Sequence, residues 1–274
     1  MSELGVRTIV AVGLLGLLAL MLIFGGWVQA GVFTFAAVVA VYEMDVMFRN
    51  KDIHVCAAPL YAVGGLQTIL ILLITEYGFP VWLLPLLYIL AFLYLMSERI
   101  INKKRTTRDF AASVFIIVYP LLLISCFGHF GFGRMDESRV ALLMVFAGPS
   151  MADNNAYLFG SKFGKHKLCP SISPHKSVEG YIAGLVGGPM GGTLVYFLQK
   201  LWGLNVHWVW LVGLGLFGAF IGQFGDLLAS TFKRWSGIKD FGRLFPGHGG
   251  VMDRLDSAMV FAPVLAFVFH YFIK

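Results

Sequence analysis

The chain has 274 residues, of which 58% are hydrophobic and only 13% are charged, with a net charge of +6. Soluble domains carry about 25% charged residues, so this composition excludes a soluble enzyme, a disordered chain and a nucleic-acid-binding module that is merely basic. The apolar residues lie in long runs, which predicts a polytopic membrane protein whose excess of basic residues lies in its loops.

The apolar runs set the predicted number of membrane-spanning helices. A bilayer core about 30 Å thick needs about 20 apolar residues in a helix. Nine segments are candidates, although several are short: 6–24, 27–42, 55–75, 80–96, 110–127, 138–159, 180–200, 205–229 and 257–273. The sequence therefore predicts an all-α polytopic membrane protein with about nine transmembrane helices.

The basic residues predict the orientation of these helices. Alternate loops divide the 21 lysines and arginines into 17 on the side of the N-terminus and 4 on the other side. Because cytoplasmic loops carry such an excess, we expect a cytoplasmic N-terminus. The first five spans hold few polar residues, so we divide the chain into an N-terminal transmembrane region, 1–137, and a C-terminal region, 138–274, that carries the candidate catalytic residues and cytoplasmic loops.

The segment 153–180 combines an acid near the end of a span with a basic loop. Asp153 lies at membrane depth, where a carboxylate is costly and usually functional. The loop that follows holds Lys165 and Lys176 among serines, glycines and prolines. Such a loop can present ammonium and backbone N–H groups to phosphates. Composition alone leaves two interpretations open, a phosphate site or an ordinary basic loop.

The segment 222–256 has the strongest functional pattern. Asp226, Ser230 and Lys233 follow one another at i, i+4 and i+7, so they share one face of a helix. An acid, a hydroxyl and an ammonium group on one intramembrane face predict a polar cavity, because lipid does not solvate them.

Asp253 and Asp256 lie one helical turn apart at the start of the last span. Acids at a helix N-terminus can simply complement the helix dipole. Five basic residues and several glycines surround these acids and Asp226, which favours a site for Mg²⁺ and polyphosphate instead. The five basic residues are Lys233, Arg234, Lys239, Arg243 and Arg254.

Several glycines match a dinucleotide-binding fingerprint, Gly213-x-Gly215-x-x-Gly218. They lie within an apolar span and follow no strand, so we interpret them as helix-packing positions. The same interpretation applies to two small-xxx-small pairs, Gly184 with Gly188 and Gly218 with Gly222.

The segment from Ser230 to Asp256 reads S-x-F-K-R, then K-D-x-G, then F-P-x-H-G-G-V-x-D-R-L-D. It resembles the signature of the phosphatidate cytidylyltransferases, also called CDP-diacylglycerol synthases, and 153–180 is similar to a second block of that family. His175 and Ser177-Val178 depart from the residues usual there. The resemblance covers the C-terminal half of the chain, and the departures leave the exact lipid substrate open.

The resemblance implies that CTP and phosphatidate react to give CDP-diacylglycerol and diphosphate, with the lipid phosphate attacking the α-phosphorus of CTP. It implies Mg²⁺ or another divalent cation, bound by Asp226 and Asp253 with assistance from Asp256, and leaves open a monovalent cation. The implied catalytic residues are Ser230, Lys233, Arg234, Lys239, Asp240 and Arg254. The implied substrate-binding residues are Asp153, Lys165, Lys176, His248, Gly249 and Gly250.

Two alternative functions remain at this stage. One is a related CTP-dependent enzyme that acts on another lipid phosphate. The other is a membrane ion or phosphate transporter, although the charges cluster on one side of the membrane and no inverted repeat is visible. The expected partners are CTP, phosphatidate and membrane lipids, without nucleic acid, and the glycine-rich spans can support a homodimer. We expect the bacterial inner membrane, with the site facing the cytoplasm.

Overall fold

The computed structural model describes residues 3–130 and 135–273. The all-α polytopic prediction is confirmed, because seven helices within these ranges are long and apolar enough to cross a membrane. The seven are Gly5–Phe24, Gly26–Arg49, Ala57–Tyr77, Leu83–Ile101, Thr107–Phe130, Val178–Trp202 and Trp208–Ser236.

The helices follow the predicted segments in order, and several extend beyond them. We label them α1 (Glu3–Phe24), α2 (Gly26–Arg49), α3 (Ala57–Tyr77), α4 (Leu83–Ile101), the kinked α5 (Thr107–Phe130), α6 (Met135–Phe163), α7 (Val178–Gln199), α8 (Trp208–Ser236) and α9 (Val251–Tyr271). Helix α8 continues past the predicted end at 229, and α9 begins before the predicted start at 257. Both extensions carry polar residues that an apolar-run criterion leaves out.

One short hairpin interrupts the helices. Strand β1 (Lys167–Cys169) pairs antiparallel with β2 (Ser173–Ser177). Ser177 then caps α7, because its hydroxyl oxygen accepts a hydrogen bond of 3.1 Å from the N–H of Gly180. The hairpin therefore leads directly into a membrane-spanning helix.

Close contacts divide the chain into two compact units. The first unit contains α1–α5 together with residues 235–254, and the second contains α6, the hairpin, α7, α8 as far as 234, and the chain from 255 onward. The loop between α8 and α9 thus belongs with the N-terminal helices.

The first unit has an apolar core with a few satisfied polar groups. Phe33 of α2 stacks on Phe127 of α5 with ring centroids 4.6 Å apart. The buried Gln29 side chain donates a hydrogen bond of 3.0 Å to the Phe127 carbonyl. Thr106 and Asp109 form a capping box at the start of α5. These contacts attach α5 to α2 and fix the point where α5 begins.

The second unit depends on close helix packing. Gly188 of α7 lies against Gly215 of α8, and a Cβ on either glycine would overlap the carbonyl of the other. One turn earlier on α7, a Cβ on Gly184 would lie 2.9 Å from the Gln223 side chain of α8 and 3.1 Å from the Ala152 carbonyl oxygen of α6. The prediction of helix packing is therefore confirmed for Gly184, Gly188 and Gly215, but it is wrong for Gly213, whose added Cβ would have no atom within 4 Å.

Candidate active site

A cluster of charged side chains lies within the second unit. The ammonium group of Lys176 pairs with a carboxylate oxygen of Asp226. Asp226, Lys233 and Asp153 all lie within electrostatic range of Asp256. We call these five residues the charged cluster. The structure thus brings together five of the side chains that the sequence predicted as site residues, from α6, β2, α8 and α9.

Helix α8 contributes the centre of this cluster. The Ser230 hydroxyl donates a hydrogen bond of 3.5 Å to Asp226 Oδ1, as the i, i+4 spacing predicts. Ser230 and Lys233 are each only 8% exposed. A buried ammonium group needs nearby negative charge, which Asp256 supplies.

A close approach of two helix backbones places Asp256 beside α8. A Cβ on Gly225 would lie only 2.5 Å from the carbonyl oxygen of Asp256. The absence of a side chain at Gly225 lets α9 come this close. Asp256 itself is 8% exposed, and its Oδ1 accepts a hydrogen bond of 2.7 Å from the N–H of Ser257. Burial and the nearby carboxylates of Asp226 and Asp153 make the ionised form of Asp256 energetically costly, as expected of a functional acid.

The hairpin delivers Lys176 to the cluster. Besides the Lys176–Asp226 pair, the Arg234 side chain of α8 donates a hydrogen bond of 3.2 Å to the Ile172 carbonyl between the two strands. Glu179, in the first turn of α7, accepts a hydrogen bond of 3.1 Å from the Lys165 N–H. The Lys165 residue is exposed. The basic loop is therefore an ordered hairpin attached at both ends.

The remaining predicted site residues lie in the first unit, in the loop 237–250, which we call the signature loop, and in the first turn of α9. Asp253 Oδ2 accepts hydrogen bonds from the N–H groups of Phe241 at 2.8 Å and Gly250 at 3.0 Å. Gly249 adopts φ +83° where the loop turns back to pair with Phe245. Asp253 therefore folds the signature loop back onto the helix start.

The signature loop presents several charged groups to the surface. Lys239, Asp240 and Arg254 are exposed. The His248 backbone N–H donates a hydrogen bond of 2.8 Å to the Phe245 carbonyl, and its ring Nδ1 is buried without a hydrogen-bond partner among the described residues. Lys239 and Arg254, as exposed cations, can bind a phosphate.

Glu43 is a residue that sequence reasoning missed. This side chain of α2 is 2% exposed, and its two oxygens accept hydrogen bonds from the N–H groups of Val251 at 2.9 Å and Met252 at 2.8 Å. The predicted second span, 27–42, ends one residue before Glu43, whereas α2 continues to Arg49. An acid within a span is a signal of function, as for Asp153, so the correct end of α2 would have singled out Glu43.

The donor groups suit a hard divalent cation. No three His, Cys, Asp or Glu side chains in the described parts of the chain converge closely enough to enclose a metal ion. Mg²⁺ is commonly bound by one or two carboxylates, with water and substrate phosphates completing the shell. Asp226 and Asp256 belong to one cluster, and their carboxylate oxygens are of the ligand type that Mg²⁺ binds. This set fits a cation that is bound together with a phosphate substrate.

Known proteins resemble this chain along nearly its whole length. The model of the cytidylyltransferase family matches residues 5–272. A phosphatidate cytidylyltransferase of Staphylococcus aureus is 33% identical, with 95% of this chain and 96% of the relative covered. Proteins of the same name from Staphylococcus haemolyticus and Staphylococcus epidermidis are 33% and 32% identical over the same shares. Since both the family model and these relatives span nearly the full length, the chain belongs to the cytidylyltransferase family.

Proposed function

We propose that this protein is a phosphatidate cytidylyltransferase, which converts CTP and phosphatidate into CDP-diacylglycerol and diphosphate for phospholipid biosynthesis. The observation that carries the proposal is the charged cluster, three carboxylates and two lysines in one unit of a membrane-embedded chain. Family membership supplies the nucleotidyltransferase class, and the names of the relatives supply the two substrates.

The reaction is a direct displacement. An oxygen of the lipid phosphate forms a bond to the α-phosphorus of CTP, while the bond from that phosphorus to the bridging oxygen of the β-phosphate breaks. Diphosphate leaves with the bonding electrons, so no covalent enzyme intermediate is needed. Both reactants are anionic, and the protein must therefore align them and offset their mutual repulsion.

The charged cluster provides groups for both tasks. Asp226 and Asp256 would hold the divalent cation, Mg²⁺ in the simplest case, which supplies positive charge to the phosphates when bound. Lys233 is buried beside Asp256, where it is held ready to neutralise charge on the α-phosphate. Lys176 pairs with Asp226 and would offer its ammonium group to a phosphate of the substrate. Asp153, the fifth member of the cluster, would shape the substrate site.

The roles of the other sequence-derived residues stay predictions. These are Ser230 and Arg234 on α8, Lys165 in the basic loop, and Lys239, Asp240, His248, Gly249, Gly250, Asp253 and Arg254 in and beside the signature loop. Their supporting features are the exposure of the cations and the backbone turn at Gly249.

The chain is a multi-pass membrane protein. The finer location, a bacterial inner membrane with the site facing the cytoplasm, follows from the 17-to-4 distribution of lysine and arginine and from the cytoplasmic supply of CTP. The homodimer also stays a prediction, because Gly184 and Gly188 contact helices of their own chain. A monovalent cation beside the divalent one also stays a prediction.

The proposal is tested by transfer of radiolabelled CTP into lipid by the purified protein in detergent. We expect labelled lipid with phosphatidate, and loss of labelling when EDTA removes the divalent cation. Asp256→Asn should lower turnover by about 100- to 1000-fold, the scale for losing one electrostatic group in an active site. Asp52→Asn is the matched control, because Asp52 is an exposed loop residue at φ +54° that asparagine tolerates.

Parallel assays separate the alternative functions. A polyprenyl phosphate and an ether-lipid phosphate replace phosphatidate in two of them. Label that appears only with one of these would identify a related enzyme with another acceptor. Absence of labelled lipid from properly folded protein, together with ion flux into vesicles without CTP, would replace the enzyme with a transporter.

A further inference from the structure

Glu43 connects the second helix of the chain to the start of the last one. Its carboxylate accepts the backbone N–H groups of Val251 and Met252, although 208 residues separate Glu43 from Val251 along the chain. These are the first two N–H groups of α9, which have no partner within the helix. Glu43 thereby supplies the cap that α9 does not find in its own sequence.

Two glycines of the signature loop make room for this carboxylate. A Cβ on Gly242 would lie 2.7 Å from the Cδ atom of Glu43, and a Cβ on Gly250 would lie 2.5 Å from the same atom. Any larger residue at either position would displace Glu43. The two glycines of the K-D-x-G and H-G-G parts of the signature therefore have a steric explanation in α2.

Asp253 continues the same arrangement from inside α9. Its Oδ2 binds the N–H groups of Phe241 and Gly250, so Glu43 and Asp253 together bind four N–H groups between 241 and 252. These contacts fix the signature loop at Phe241 and at its junction with α9. The exposed Lys239 and Asp240 lie directly before the first of these contacts.

We propose that Glu43 is a positioning residue for the nucleotidyl transfer: it holds the signature loop and the first turn of α9 in the conformation that binds the CTP phosphates. This inference rests on the function proposed above. Glu43 does not touch a reacting group itself, and its effect passes through the backbone of residues 242–252. A carboxylate is suited to this task, because two adjacent N–H groups at a helix N-terminus need two acceptors and favour negative charge.

Glu43→Gln is the test variant, since it keeps the volume and replaces one acceptor oxygen with a donor. We expect the KM for CTP to rise by about 10- to 100-fold, the effect of losing a hydrogen bond to a charged acceptor, with a smaller change in kcat. We also expect trypsin to cut the folded protein several-fold faster after Lys239 and Arg243. The proteolysis needs no substrate, so it tests the loop even if CTP proves to be the wrong nucleotide.

Asp45→Asn is the matched control within α2. Asp45 is also a buried acid, 5% exposed, but it pairs with Arg49 one turn along the same helix, at 2.7 Å. A purely structural role for Glu43 would lower the melting temperature in both variants and leave KM and loop cleavage per folded molecule unchanged. Unchanged KM and cleavage in Glu43→Gln, or equal changes in Asp45→Asn, would overturn the proposal.

A second pair of variants tests the contact if Glu43→Gln folds poorly. Gly242→Ala alone should raise the KM for CTP, because the new methyl group displaces the Glu43 carboxylate. In a Glu43→Ala background that space is open, so Gly242→Ala should add almost nothing. Non-additivity of this kind identifies a direct contact, whereas additive effects would show that the glycine acts independently of Glu43.

Discussion

The two units of this protein use acidic side chains in different ways. In the first unit, the carboxylates of Glu43 and Asp253 bind backbone N–H groups, which fixes the path of the chain. In the second unit, Asp226 pairs with the Lys176 side chain and Asp256 lies among other charged side chains. Backbone contacts persist while the fold persists, but a lysine can exchange its partner for a phosphate.

Helix α9 displays this difference within one turn. Asp253 and Asp256 are three residues apart and equally buried, at 8% exposure. Their neighbours nevertheless distinguish the two acids, since Asp253 orders a loop and Asp256 belongs to the charged cluster. The burial of an acid therefore does not show whether it is functional, whereas the groups that surround it do.

The largest expected effect comes from Asp226→Asn. This change removes the charge that pairs with Lys176, and we expect kcat to fall by about 100- to 1000-fold in folded protein. It also leaves a partly buried ammonium group without its partner, which should lower the melting temperature. Turnover of labelled CTP and thermal unfolding in detergent measure the two effects.

Adding Lys176→Met to Asp226→Asn sharpens this experiment. Removal of both members of an ion pair leaves no uncompensated charge, so the double variant should regain the melting temperature without regaining turnover. If the double variant unfolds at the same temperature as Asp226→Asn, the unpaired ammonium group of Lys176 does not explain the lower melting temperature of Asp226→Asn.

The second prediction concerns the helix packing of the second unit. Gly188→Ala forces a methyl group against the Gly215 carbonyl and should destabilise the fold by about 1–3 kcal/mol. Gly213→Ala is the control, because no atom lies within 4 Å of its added Cβ. Thermal unfolding measures both. An equal loss in the two variants would contradict the close contact between α7 and α8.

Much of this architecture could be predicted from the sequence. The long apolar runs located the nine helical segments, because bilayer thickness constrains their length. The i, i+4, i+7 spacing placed Asp226, Ser230 and Lys233 near one another, since helix geometry acts over short distances. The position of Gly215 and Gly188 within apolar spans also predicted that they serve packing rather than nucleotide binding.

The contacts that arise over long sequence distances could not be predicted in the same way. Nothing near Glu43 indicates that it caps a helix 208 residues away. The predicted last span starts at 257 because an apolar-run criterion leaves out the polar first turn of α9, which begins at Val251. The β1–β2 hairpin was also missed, since its short strands are polar and its attachment requires Asp226 and Glu179.

The third prediction separates two roles for Asp253. Asp253→Ala leaves the N–H groups of Phe241 and Gly250 without their acceptor, which should cost about 1–3 kcal/mol and expose the signature loop to trypsin. Asp253→Asn keeps an acceptor and should protect the loop. If Asp253 is also a metal ligand, the asparagine variant will lose turnover at unchanged stability. Retained turnover would confine Asp253 to ordering the loop.

The smallest expected effect is that of Ser230→Ala. The Ser230 hydroxyl lies 3.5 Å from Asp226 Oδ1, the outer limit of a hydrogen bond, so its loss should cost about 0.5–1.5 kcal/mol, or roughly tenfold or less in kcat/KM. Steady-state kinetics with labelled CTP provide the measurement. A loss comparable to that of Asp226→Asn is more than this weak bond can account for. Such a loss would mean that the hydroxyl contacts a phosphate or the cation directly. A neutral group of the second unit would then take part in catalysis together with the charged side chains.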